Sequence, residues 1–118
     1  MILAGKGGCI INISSICRVG TKKQANYSAS KAGVVALGET WAKENAAYGI
    51  RTASIAPGYI DTDMVHKMPD DEIEEVLKQI PSARLGLPEE IAHAVKYVIE
   101  NDFVNGGTVL EVNGGMRL

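Results

Sequence analysis

Three short runs of apolar and β-branched residues constrain the fold of this chain more than any other feature. They are "CIINI" (9–13), "RTASIA" (51–56) and "TVLEV" (108–112). Each has the length and composition of a β-strand, and the first is almost continuously apolar, which is typical of a strand buried on both faces of a parallel sheet. Helical patterns separate the three runs. This alternation predicts a parallel α/β sheet with right-handed crossovers.

Three helices are predicted between the strands. The first runs from about residue 25 to residue 48 and ends before Gly49, a residue type suited to the left-handed conformation that terminates helices. The second has acidic residues in its first turn and an apolar stripe formed by Ile73, Val76, Leu77 and Ile80. The third opens at Pro88, because proline favours the first position of a helix. Residues 59–68 are expected to form a loop.

Composition and charge exclude several classes of function. The chain has 118 residues, enough for one small domain, and a formal net charge of −2, which gives no sign of a nucleic-acid-binding surface. There is no apolar run long enough to cross a membrane and no signal-peptide pattern, so no membrane partner is expected. Cys9 and Cys17 are too few for a disulfide framework and lack the spacing of metal ligands. We therefore expect no metal site and a reducing, cytoplasmic compartment.

The predicted sheet is thin. Parallel strands need cover on both faces, and an open sheet edge invites further pairing. The first strand begins close to residue 1, with no preceding element to pair beside it. We therefore expect residues 1–118 to be the second half of a larger sheet whose first half is absent from this sequence.

The sequence "NYSASKAG" (26–33) separates Tyr27 from Lys31 by four positions on the first predicted helix. Residues at this spacing share one helix face, so the lysine ammonium can lie close to the phenol. A free tyrosine has a pKa of about 10, and a nearby cation stabilises a phenolate and lowers that value. A tyrosine in such a setting can donate a proton to an oxygen and take it back. On these two residues alone, a partly exposed helix face is the simpler explanation.

Polar and turn residues follow two of the predicted strands. Ser14 and Ser15 come directly after the first strand, and Pro57-Gly58 ends the second, with Thr62 four residues beyond the glycine. The carboxyl ends of parallel strands meet at one edge of the sheet, where open α/β sheets bind their ligands. A serine there can hydrogen-bond a substrate carbonyl, and a glycine permits close approach of a flat ligand. Each feature alone fits an ordinary loop or turn, but together they favour a catalytic role for the tyrosine–lysine pair.

Five segments resemble the short-chain dehydrogenase/reductase family. They cover most of the chain in family order and are "GGCIINISS" (7–15), "QANYSASKAGVVAL" (24–37), "APGYIDTDM" (56–64), "RLGLPEEIAHAV" (84–95) and "VNGGM" (112–116). Within the family they look most like the bacterial-type 3-oxoacyl-(acyl-carrier-protein) reductases. The resemblance implies that residues 1–118 are the carboxyl-terminal portion of a single Rossmann-type, doubly wound α/β domain, with three strands and flanking helices.

The resemblance also implies roles for individual residues. Tyr27 would be the catalytic acid/base, Lys31 would support its ionisation and hydrogen-bond the nicotinamide ribose, and Ser15 would orient the substrate carbonyl. From Ser15 to Tyr27 is 12 positions, one fewer than the usual family spacing, so Ser14 is an alternative for that role. The implied reaction is hydride transfer from a nicotinamide cofactor to a carbonyl carbon, with a proton from Tyr27.

Further residues would line the nicotinamide side of the site by resemblance, namely Pro57, Gly58, Ile60 and Thr62, together with Tyr27 and Lys31. The implied cofactor is NADP or NAD, and the resemblance slightly favours NADP. The glycine-rich turn that receives the cofactor pyrophosphate in this family is missing from the sequence, as is the residue that selects between the two cofactors. The segment 5–8 cannot replace this turn, because it precedes a strand rather than opening a helix.

The resemblance implies a small-molecule or acyl thioester substrate, most closely a 3-oxoacyl thioester, with residues 61–82 as the mobile substrate loop and helix. Basic residues recognise the carrier protein in these reductases. Lys6 fits one such position, whereas Tyr48 occupies the other. Family members commonly associate through the helix that carries "VVALGETWAKENA" (34–46), so a homodimer or homotetramer is expected.

Two alternatives stay open on the sequence. The protein could reduce another ketone or oxidise an alcohol, and the segment 61–82 would decide between these substrates. Alternatively, residues 1–118 could form a catalytically inactive fragment that retains only association surfaces.

Overall fold

The computed structural model describes residues 1–118 and contains three β-strands and four α-helices. The strands are β1 (Gly8–Ile13), β2 (Ile50–Pro57) and β3 (Thr108–Val112), and the helices are α1 (Ala25–Asn45), α2 (Asp63–His66), α3 (Asp70–Gln79) and α4 (Pro88–Glu100). Two short 3-10 helices, Ile16–Val19 and Ala46–Tyr48, follow β1 and α1. The three predicted strands and the three predicted helices are confirmed.

The strands form one parallel sheet in the order β1-β2-β3. The central strand pairs Ile55 with Ile13 on one side and with Leu110 on the other. Successive side chains of a strand point to opposite faces, so alternate residues of β2 contact different helices. Ala53 and Ile55 pack with Val98 of α4, whereas the alternate residues Thr52 and Ser54 lie on the α1 face. The predicted parallel α/β architecture with flanking helices is confirmed.

The prediction that the first strand is buried on both faces was wrong. Every residue of β1 is at least partly exposed, and Ile13 is 45% exposed. β1 lies at an edge of the sheet and pairs on one side only, so it lacks neighbouring side chains on the other. The central strand is the fully buried one, because Ala53 and Ile55 are both inaccessible to solvent.

Polar contacts hold α1 against the sheet. The hydroxyl of Thr52, fully buried in β2, donates to the Gly38 carbonyl at 2.7 Å, and the Asn12 side-chain amide donates to the Val34 carbonyl at 3.0 Å. Gly107, just before β3, also meets the helix at its closest point, where a Cβ would lie 2.5 Å from a backbone nitrogen of α1. The orientation of α1 is therefore fixed along much of its length.

Arg51 fastens the carboxyl end of α4 to the central strand. Its Nη1 donates to the carbonyls of Val98, Asn101 and Val104 at 2.9, 3.1 and 2.9 Å, and its Nη2 donates to the Ile99 carbonyl at 3.2 Å. The last carbonyls of a helix lack partners within the helix and carry partial negative charge. A guanidinium therefore satisfies this helix end in a way that a neutral side chain would not.

Three element boundaries differ from the predictions. Residues 59–68, expected to form a loop, contain α2, because the Thr62 hydroxyl caps that helix by accepting from a backbone N–H of its first turn. The first predicted helix is divided into α1 and the 3-10 helix Ala46–Tyr48, which ends at Gly49 with a φ of 70°, as expected for a left-handed terminator. Pro57 is the last residue of β2 and pairs with Val112 rather than following the strand.

Ile80, expected in the apolar stripe of α3, lies just beyond that helix. It is 4% exposed and packs with Ile16 and Met116 in a second small core. This core joins the turn after β1, the end of α3 and the segment after β3. It therefore supports the same edge of the sheet at which the polar residues were predicted to meet.

Candidate active site

A groove of about 650 Å³ opens at the carboxyl ends of β1 and β2. Its walls come from the turn after β1, the amino end of α1, the segment after β2, and α2 with the residues that follow it. Most of the side chains that line it are hydrophobic. Of the predicted site residues, the groove is lined by Ser15, Tyr27, Gly58, Ile60 and Thr62.

Tyr27 lies in the first turn of α1 on the wall of the groove and is 43% exposed. Lys31 follows one turn later and does not line the groove. Its Nζ is 5.7 Å from the centroid of the Tyr27 ring and donates to the Ile13 carbonyl at 3.1 Å. A cation within about 6 Å of an aromatic ring is attracted to it. The carboxyl end of β1 thus holds an ammonium charge beside the phenol.

The two serines after β1 have different surroundings. Ser14 is 2% exposed, and its hydroxyl donates to the Lys31 carbonyl at 2.7 Å, so its only proton is used within the chain. Ser15 is 7% exposed and lines the groove, and its hydroxyl accepts a hydrogen bond from the Cys17 N–H at 3.1 Å. Accepting this bond leaves the Ser15 O–H free to donate to a ligand. Ser14 thus joins strand to helix, whereas Ser15 presents a donor to the groove.

Gly58 lies close to the segment that follows β3. A Cβ at this position would lie 2.9 Å from both Cα and Cβ of Asn113, so the segment after β3 occupies the space. Pro57 does not line the groove, because it is still part of β2. The close approach that Gly58 allows is therefore made by this chain's own backbone.

Ile60 lines the groove, and its main chain is unpaired. The residues on either side of it pair with Gly86, since the Gly86 N–H donates to the Tyr59 carbonyl at 2.9 Å and the Asp61 N–H donates to the Gly86 carbonyl at 2.7 Å. The N–H and C=O of Ile60 itself form no hydrogen bond within the chain. Thr62 Oγ1 accepts only a long bond, 3.5 Å from the Val65 nitrogen. Both residues keep polar groups available to a ligand.

Several groove residues were not among the predicted site residues. Gln24 precedes α1, Tyr59 follows Gly58, and Met64 and Met68 lie four positions apart across α2. Methionines at i and i+4 share one face of a helix and indicate an apolar wall. The signal applies only to a helix, and the sequence predicts a loop over residues 59–68. Burial is the main cause that raises the pKa of Tyr59, and electrostatic interactions with the neighbouring Cys17 and Glu72 raise it further. Tyr59 therefore stays a neutral donor near neutral pH.

A model of the family described as enoyl-(acyl carrier protein) reductase matches residues 1–117. The chain belongs to the short-chain dehydrogenase/reductase family. The predicted resemblance is thereby confirmed over almost the whole sequence.

Curated members of the short-chain dehydrogenase/reductase family align with 92–100% of the chain. A (3R)-3-hydroxyacyl-CoA dehydrogenase of Canis lupus familiaris is 44% identical over 121 residues, covering 100% of this chain and 46% of the relative. A 3-oxoacyl-(acyl-carrier-protein) reductase of Thermotoga maritima is 41% identical, covering 94% of this chain and 46% of the relative. An acetoacetyl-CoA reductase of Synechocystis is 45% identical, covering 92% and 47%. The chain spans about half the length of these curated relatives.

The structure contains neither a metal-binding cluster nor a membrane-spanning helix. No group of three or more histidine, cysteine, aspartate or glutamate side chains is arranged to hold a metal ion. No helix combines the length and apolar character needed to cross a membrane.

Proposed function

We propose that this short-chain dehydrogenase/reductase transfers hydride between a nicotinamide cofactor and a carbonyl or alcohol carbon, with its own residues supplying the proton. The observation that carries the proposal is the groove itself. It brings the free O–H of Ser15 and the phenol of Tyr27 to one cavity, and the Lys31 ammonium is 5.7 Å from the phenol ring. Two hydroxyl donors in one groove suit an oxygen on which negative charge develops.

In the direction of reduction, Ser15 would donate a hydrogen bond to the substrate carbonyl oxygen and hold it toward Tyr27. The Tyr27 phenol would then give its proton to that oxygen as the carbonyl carbon is reduced. The Lys31 ammonium would stabilise the phenolate left behind, because an opposite charge nearby favours the ionised form. Running the steps backward, the phenolate removes the proton from an alcohol. Proton transfer by a positioned side chain contributes about 10²–10⁴ in rate.

The nicotinamide ring would bind on the side of the groove formed by the segment after β2. The unpaired N–H and C=O of Ile60 fit a carboxamide, and the Thr62 hydroxyl offers a further donor. The Lys31 ammonium, which lies outside the groove lining, would hydrogen-bond the nicotinamide ribose. When bound, the cofactor supplies or accepts the hydride. Glycine at position 58 lets the loop after β3 approach closely and so fixes the segment that carries Ile60. Pro57 would contribute indirectly, by ending β2 immediately before this segment.

For the substrate, we propose a 3-oxoacyl thioester that is reduced to the 3-hydroxyacyl form. The relatives are named for such acyl groups on coenzyme A or on acyl carrier protein. An apolar wall that includes Met64 and Met68 suits an acyl chain, because methionine adapts to irregular apolar shapes. A different ketone or alcohol is the alternative, and turnover of acetoacetyl-CoA against simple ketones separates the two. NADP is favoured over NAD by family resemblance, and titration with each reduced cofactor decides between them.

The decisive experiment replaces the Tyr27 phenol in the native protein that carries this chain. Tyr27→Phe removes one oxygen and keeps the ring beside Lys31, so turnover should fall by at least about 10²-fold. Binding of reduced cofactor, followed by its fluorescence, should be retained. Tyr97→Phe is the matched control, because Tyr97 in α4 is 45% exposed, close to the exposure of Tyr27, and lies outside the groove. Turnover that survives in Tyr27→Phe would remove Tyr27 from the acid/base role and overturn the proposal.

We further propose that the protein is a cytoplasmic homodimer or homotetramer. Both cysteines are free thiols, which suits a reducing compartment. One face of α1 is exposed and carries small and apolar residues, among them Ala29, Ala32, Gly33, Ala36 and Leu37. Such a face allows close helix–helix contact between two copies. The same surface supports the second candidate function, in which residues 1–118 act only in association, and the Tyr27→Phe comparison separates the two candidates.

A further inference from the structure

A cluster of three charged residues connects the turn that carries Ser15 to the opposite edge of the sheet. Arg18 lies in the 3-10 helix Ile16–Val19, Glu111 lies in β3, and Arg117 lies near the end of the chain. Arg18 Nη2 is 2.7 Å from Glu111 Oε1, and Arg117 Nη1 is 3.0 Å from Glu111 Oε2. The Arg18 side chain is 17% exposed, whereas that of Arg117 is 70% exposed. The bond to Arg18 is therefore the more protected half of the cluster.

Arg18 also holds Ser15 directly. The Ser15 carbonyl accepts from the Arg18 backbone N–H at 3.2 Å and from Arg18 Nη1 at 3.3 Å. The Ser15 hydroxyl accepts from the Cys17 N–H within the same turn at 3.1 Å. The Arg18 guanidinium bonds both the Ser15 carbonyl and Glu111 of β3, so it links the serine to that strand. If this turn moved, the carbonyl and the hydroxyl of Ser15 would move together.

We propose that Arg18 and Glu111 form a positioning pair that fixes the direction of the Ser15 hydroxyl in the groove. This inference rests on the proposed function, in which Ser15 orients the substrate carbonyl. Ser15 directly follows β1, and that strand is its attachment to the sheet along the main chain. The ion pair supplies a second attachment, which reaches past the central strand to β3. Small displacements of catalytic groups are costly, since about 1 Å can reduce a rate by 10².

The charge state of Glu111 suits this task. Its hydrogen bond with Arg18 is the main cause that lowers the pKa of the Glu111 carboxyl, and the positive charge of Arg117 lowers it further. The carboxylate is therefore ionised throughout the neutral range and accepts from both guanidinium groups. Arg117 contacts only the far oxygen of Glu111 and its own neighbouring main chain, so it offers a matched control for Arg18.

The test is a double-mutant cycle in the native protein, with Arg18→Met, Ser15→Ala and the combination. Arg18→Met should lower kcat by about tenfold and leave the KM for the cofactor unchanged. In the Ser15→Ala background, measured at high enzyme concentration, the same substitution should change kcat by less than about twofold, because no hydroxyl remains to be positioned. Arg117→Met should stay within about twofold of the parent kcat.

Two further variants guard against a simple loss of folding. Glu111→Gln keeps the shape and one acceptor and should give a smaller decrease in kcat than Arg18→Met, with the thermal midpoint measured alongside. Arg18→Lys should restore part of the loss. An equal decrease caused by Arg18→Met with and without the Ser15 hydroxyl would overturn the positioning role, as would a normal kcat in Arg18→Met. Neither result would affect the proposed function, which fails only if Tyr27→Phe keeps turnover.

Discussion

Gly107 offers the sharpest test of how closely helix and sheet approach one another. It adopts a φ of 69° immediately before β3, at the point where the chain passes under α1. A Cβ added there would lie 2.5 Å from the backbone nitrogen of Glu39, 2.6 Å from its Cα and 2.8 Å from the carbonyl carbon of Gly38. All three are backbone atoms within a helix and cannot move aside independently. Gly107→Ala must therefore displace α1 or the strand entry.

The expected cost has two parts. A residue with a Cβ in the left-handed region costs roughly 1–2 kcal/mol relative to glycine. Inserting a methyl group into a closely packed contact costs about 1–3 kcal/mol more. We therefore expect Gly107→Ala to lower the free energy of unfolding by about 2–5 kcal/mol.

The neighbouring glycine separates these two parts. Gly106 has a φ of 81°, but a Cβ there would meet no atom within 4 Å. Gly106→Ala should therefore lose only the conformational part, about 1–2 kcal/mol. Urea denaturation of both variants, followed by circular dichroism, measures the difference. Equal losses in the two variants would refute the reasoning, since the contact between Gly107 and α1 would then contribute nothing.

Two further predictions concern charged contacts. Arg51→Met should lower the free energy of unfolding by about 2–4 kcal/mol, because it leaves carbonyls at the end of α4 and in the segment after it without their donor. Lys96→Met, in an exposed pair, should cost less than about 0.5 kcal/mol in the same urea assay. Similar losses in the two variants would contradict this assignment. Arg84, with help from the Leu87 N–H, lowers the pKa of Glu90 from 4.5 to about 2. A lowered folded-state pKa adds stability above the unfolded value that disappears as the pH falls toward the folded one. Glu90→Gln should therefore lose less of its thermal midpoint between about pH 5 and pH 2 than the parent, and equal losses would contradict the assignment.

The candidate site depends on α1 being joined to the end of β1 in both directions. The Ser14 hydroxyl donates to the Lys31 carbonyl, and Lys31 Nζ donates to the Ile13 carbonyl. Both bonds join the end of β1 to the turn of α1 that contains Lys31. Tyr27, one turn earlier on α1, is thereby held at a fixed distance from the Ser15 turn. Ser14 and Ile13, which lie beside Ser15, therefore help to set the position of Tyr27 relative to Ser15.

The sequence by itself determined the order and type of nearly all elements. Apolar and β-branched runs marked the three strands, and Pro88 and Gly49 marked a helix start and a helix end at the positions observed. The spacing of Tyr27 and Lys31 was also sufficient to bring them together, because residues four apart share a helix face regardless of the rest of the fold. These features depend on local geometry, which a sequence specifies directly.

The tertiary structure alone decided which of two adjacent serines lines the groove, and why Gly58 and Gly107 lack side chains. Ser14 and Ser15 have the same chemistry, and only the position of α1 gives Ser14 a partner in the Lys31 carbonyl. Gly58 lies against Asn113, and the bond between Arg18 and Glu111 joins residues 93 positions apart. Such contacts depend on how strands and helices pack in three dimensions. Local sequence patterns carry no information on that packing, so these features could not be predicted from the sequence.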